Sequence, residues 1–108
     1  METKLIRVCS VSDVSPGSGK AFLIGSYKLA VYNVQGEFYA SADTCSHAEE
    51  SLAEGWLEGT NIECPRHGAQ FCLKTGEAKT LPATDPIEVF ETEVRDGDLY
   101  VKLPAKYL

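Results

Sequence analysis

Histidine is scarce in this chain: two among 108 residues, His47 and His67. If both serve one metal site, none is left for a general base or a second metal centre. Basic residues are also few, 10 Lys and Arg against 16 Asp and Glu, for a net charge of −6. Phosphate binding needs Lys and Arg, so no nucleic acid is expected as a partner. The acidic surplus either suits docking onto basic protein surfaces or simply keeps the domain dispersed. No apolar run approaches the ~20 residues of a membrane span, so no membrane association is expected. The first residues, Met1-Glu2-Thr3-Lys4-Leu5, lack a basic region followed by a long apolar stretch. A secretory signal is therefore not expected, and the expected location is cytoplasmic. Internal repeats, linkers and low-complexity segments are absent too, which points to one domain spanning residues 1–108. Ser15-Pro16-Gly17-Ser18-Gly19-Lys20 faintly resembles a phosphate loop, but position 14, where the first glycine belongs, is Val. A surface turn is the reading there.

What the chain does have is a succession of short strands and turns. Val31 to Val34 and Glu37 to Ala40 flank Gln35-Gly36, and Glu91 to Val94 and Asp98 to Leu103 flank Asp96-Gly97. Both are hairpin signals, because the second position of each pair is a glycine that accepts positive φ. Lys20 to Ile24 and Tyr27 to Val34, the latter including Val31 to Val34, read as strands around Gly25-Ser26. Leu99, Val101 and Leu103 alternate with more polar neighbours, which predicts one buried face. No segment keeps helical periodicity for three turns, and residues 48–57 hold a helical turn at most. The expected fold is an all-β antiparallel sandwich or small barrel.

Four cysteines in a reducing compartment argue against disulfides. Cys9 and Cys72 read as small buried hydrophobes. The other two stand with the histidines in two clusters, Cys45-Ser46-His47 and Cys64-Pro65-Arg66-His67, with sixteen residues between them. Each cluster offers one thiolate and one imidazole, and both groups are metal ligands. Both clusters follow predicted strands, so two loops on a rigid sheet would form the cage. Structural zinc sites usually pair like ligands, so this alternation fits zinc less well, but zinc stays open on the residues alone.

Cys45-x-His47 and Cys64-Pro65-x-His67-Gly68 resemble the two boxes of a Rieske [2Fe–2S] protein. The resemblance implies one cluster per chain, with Cys45 and Cys64 on one iron and His47 and His67 on the other. Two ferric ions, two sulfides and two thiolates sum to zero charge, so an electron enters more easily than in a four-thiolate cluster. High-potential relatives carry extra box cysteines and hydroxyls near the sulfurs. Here Arg66 stands between Pro65 and His67, and Ala69 and Phe71 supply no hydroxyl. A potential near the bottom of the ~−150 to +300 mV Rieske range is expected.

Each iron would be four-coordinate, leaving no open position for substrate, so the implied role is electron transfer and not catalysis. An oxygenase with its own mononuclear iron would need further histidines. The whole chain resembles the free-standing ferredoxin of an aromatic-ring-hydroxylating dioxygenase, of the biphenyl, phenylpropionate or naphthalene type. The stretches Phe71 to Gly76 and Leu81 to Pro86 fit that family. The resemblance implies a monomer with a cluster-binding subdomain of about residues 43–72. Its implied partners are an NADH-dependent flavin reductase and a terminal oxygenase, met in turn by the ring edges of His47 and His67. Pro82 would belong to a third loop over the cluster, or is a plain turn proline. Ala48 replaces a more usual glycine, and Glu49-Glu50 beside it either shape docking or form a solvated acidic loop. The alternatives are the Rieske-like small subunit of an assimilatory nitrite reductase and a zinc-stabilised binding module.

Overall fold

A computed structural model describes residues 2–25, 27–44, 51–65, 69–79 and 86–107. These form ten strands, three short 3-10 turns and no α-helix, and every strand pairing is antiparallel. No helix among them is long and apolar enough to cross a membrane.

Three sheets build the molecule. The first joins β1 (Thr3–Ser10) through β10 (Asp98–Pro104) to β9 (Thr92–Arg95). The second runs in the order β2 (Ser18–Ile24), β3 (Tyr27–Val34), β4 (Glu37–Ala42), β8 (Val89–Phe90). The third is a small meander of β5 (Trp56–Glu58), β6 (Asn61–Glu63) and β7 (Gln70–Cys72). The expected hairpin turns are present. Gln35 and Gly36 lie at φ 52° and 91°, Asp96 and Gly97 at 50° and 81°. Two consecutive positive φ values match the right-handed twist of the flanking strands.

β3 explains why the second sheet is central. Its residues Leu29 to Asn33 are all buried. Successive side chains on a strand point to opposite faces. Leu29 and Val31 pack with Cys9, Val14, Ala40 and the alternating Leu99, Val101 and Leu103 of β10. Ala30 and Tyr32 pack on the other side with Leu52, Ala53, Ile62, Cys64, Ala69 and Phe71. The second sheet is thus covered on both faces, and its second face carries the region that holds Cys64. Leu73 and Ile87 belong to this same core, so the packing unit runs past Cys72.

Candidate metal centre

Of the four expected ligands, Cys64 alone lies among the described residues; Cys45, His47 and His67 lie outside them, as do Ala48, Glu49, Glu50, Arg66, Gly68 and Pro82. Cys64 follows β6 and is wholly buried, with its thiol free of any disulfide. Its N–H donates to the carbonyl of Ala69 at 2.7 Å. This bond extends the β6–β7 pairing, in which Glu63 faces Gln70. The second box is therefore closed at its base by backbone hydrogen bonding, with Cys64 and Ala69 opposite each other.

The first box is closed at its base as well. Thr44 and Ser51 form an antiparallel bridge across the segment that contains Cys45 and His47. Asp43, buried at the end of β4, reinforces it. Its Oδ1 accepts the Ser51 hydroxyl at 2.8 Å and the Ala53 N–H at 3.1 Å. Its backbone carbonyl accepts the Leu52 N–H at 2.6 Å. The acceptor bonds satisfy donors at the start of the 3-10 turn Leu52–Glu54 that would otherwise be left bare. Residues 80–86 span a third segment. Lys79 N–H donates to Gln70 O, and Ile87 N–H to Gly76 O, tying both its flanks to the β7 region.

The chemistry around Cys64 suits an iron–sulfur group. Cys64 shares one buried core with Ala30, Leu52, Ile62, Ala69 and Phe71 and with the Tyr32 phenol. That phenol is occupied with the Ser41 hydroxyl at 3.1 Å, and burial pushes its pKa up. A soft thiolate in an apolar, water-poor wall fits such a cluster. Among the described residues no grouping of three His, Cys, Asp or Glu side chains could hold a metal ion.

The other cysteines divide. Cys9 is buried as expected, and burial raises its pKa. Cys72 is not fully buried. On β7 Phe71 takes the inward position, and strand alternation turns Cys72 outward. Hydrogen bonding from the Thr75 side chain lowers its pKa. Nothing in the sequence marks Asp43 beyond its position two residues before Cys45.

The family model of the Rieske [2Fe–2S] domain matches residues 4–91. The 3-phenylpropionate/cinnamic acid dioxygenase ferredoxin subunit of Escherichia coli (strain K12) is 48% identical over 101 residues, 92% of this chain and 93% of that one. The ferredoxin component of biphenyl 2,3-dioxygenase of Rhodococcus jostii (strain RHA1) is 44% identical over 99 residues, 92% of each chain. Among solved structures, a complex of reduced oxygenase and oxidised ferredoxin in carbazole 1,9a-dioxygenase contains a chain 46% identical, with a TM-score of 0.82. It covers 90% of this chain and 91% of that one.

Proposed function

The chain belongs to the Rieske [2Fe–2S] family as a ferredoxin-type electron carrier, and from that premise we propose its ligands and partners. Cys45 and Cys64 hold one iron of the cluster, and His47 and His67 hold the other. The carrier takes electrons from an NADH-dependent flavin reductase. It delivers them to the terminal oxygenase of an aromatic-ring dioxygenase system. It works as a cytoplasmic monomer of one domain, residues 1–108. When bound, the cluster accepts and passes on a single electron at a time.

The observation that carries this reading is sequence identity near one half over nine-tenths of the chain to dioxygenase ferredoxins. That identity favours an oxygenase system over a nitrite reductase assembly. The chain's own residues have three tasks. Buried Cys64 presents a thiolate from a closed hairpin base. Leu52, Ile62 and Phe71, all wholly buried, keep water from that side of the site. The imidazoles of His47 and His67 offer ring edges through which the partners are met. Two of these residues on each iron of a bridged cluster would leave no position open for substrate chemistry.

Two experiments test the reading. Protein purified without air should contain two irons and two labile sulfides per chain and turn reddish-brown; zinc in their place would overturn it. Mixed with a purified flavin reductase, NADH and a ring-hydroxylating oxygenase, it should restore product formation. Delivery only to a nitrite reductase would overturn the assignment of partner.

A further inference from the structure

The two ligand boxes are joined by one short piece of chain. The 3-10 turn Leu52–Glu54 is held at its start by Asp43, two residues before Cys45. At its end Gly55 closes the turn, its N–H donating to Leu52 O at 3.0 Å. Gly55 then meets the residue before Cys64. A Cβ built on Gly55 would lie 1.9 Å from the carbonyl oxygen of Glu63 and 3.2 Å from that of Leu52. Its φ of −79° is open to any residue, so glycine is needed here for the backbone contact and not for the torsion.

We propose that Asp43, the Leu52–Glu54 turn and Gly55 form a strut that sets the separation of Cys45 from Cys64 before the cluster is in place. The proposal rests on the reading that these two cysteines ligate one iron. Asp43 and Gly55 are positioning residues and touch no reacting atom. The Asp43 carboxylate is 4% exposed, and one oxygen gathers donors from Ser51 and Ala53. It fixes the exit of the first box to its entry. The Gly55–Glu63 contact fixes that exit to the entry of the second box. Supports of this kind commonly change metal affinity about 10–100-fold when removed.

The test uses purified holoprotein and three readings: iron loss to a chelator, the electron paramagnetic resonance g-values of the reduced form, and thermal stability. Asp43→Ala and Gly55→Ala should lose iron roughly 10-fold faster or more, with shifted g-values. Asp43→Asn keeps an acceptor oxygen for both donors and should stay near wild type. Gly59→Ala is the control. Gly59 lies at φ +60° with nothing within 4 Å of an added Cβ, so this change lowers stability and should leave iron loss and g-values alone. Wild-type iron loss and g-values in both Asp43→Ala and Gly55→Ala would overturn the proposal. So would equal changes in Gly59→Ala. If either strut variant fails to fold, Ser51→Ala, which removes one donor from the same carboxylate, replaces it under the same criteria. Cys45→Ser and Cys64→Ser separate the two levels. A wild-type cluster in these would defeat the ligand reading itself, whereas its loss beside an unaltered strut series would defeat the strut alone.

Discussion

Ala69 and Phe71 are wholly buried in the same core as Cys64, and neither carries a hydroxyl. Hydrogen bonds to the sulfurs of an iron–sulfur group stabilise its more negative, reduced form. With no hydroxyl at these two positions, a low midpoint potential is expected. Phe71→Tyr and Ala69→Ser should each raise the potential in protein-film voltammetry, and an unchanged or lower value would refute the argument. His67→Cys should act in the opposite sense, because a thiolate adds negative charge at the iron. The cysteines outside the boxes give a second residue-level contrast. Cys72 is partly exposed and its thiolate is favoured by the Thr75 side chain, whereas Cys9 is buried with its pKa raised. Nucleophilic attack needs both exposure and thiolate. Alkylation of the native holoprotein at neutral pH should mark Cys72 well before Cys9, as read by peptide mass mapping. The sequence suggested that both were buried. Only the register of a three-residue strand, with Phe71 inward, separates them.

β3 is the element on which both cores depend. Leu29 and Val31 serve one face, Ala30 and Tyr32 the other. Leu29→Ala should cost about 2–5 kcal/mol, the usual range for a buried leucine, and appear as a lowered thermal midpoint with unaltered visible absorption. On the opposite face, burial raises the pKa of Tyr32 above its ordinary value of 10.0. The folded chain therefore keeps a proton that the unfolded chain gives up, so this contribution is complete below pH ~10 and is lost as pH rises further. Tyr32→Phe should flatten that alkaline loss in melts taken from pH 8 to 11. The hairpins around Gln35-Gly36 and Asp96-Gly97 were legible because their turns demand particular residues. β5, β6 and β7 have three residues each, too few for a period of two to declare itself. The sequence of residues 48–57 allows a helical turn at most. Among the described residues, 51–57 hold one 3-10 turn and then enter β5, which pairs with β6.

At the scale of the whole molecule, the proposed ligand set rests on box motifs, which are local in sequence and so visible in it. Its supports are not. Asp43 and Gly55 work through contacts with Ser51, Ala53 and Glu63, and such contacts exist only once the chain has folded. The charge of the molecule leads to a final prediction. The chain carries a net charge of −6, and Glu49-Glu50 follow His47 closely. In the proposed role, a carrier that meets a reductase and an oxygenase in turn would gain from fast, weak association, which long-range attraction to a basic surface provides. Reversal of both residues, Glu49→Lys with Glu50→Lys, should slow reduction by the flavin reductase at low ionic strength by roughly 10-fold or more. The gap should close as salt shortens the Debye length to about 8 Å near 0.15 M. Stopped-flow reduction at several salt concentrations measures this. The midpoint potential should be determined alongside, so that a change in driving force is not mistaken for a change in encounter. Equal rates for the two proteins at low salt would show that these carboxylates form a solvated acidic patch with no part in docking.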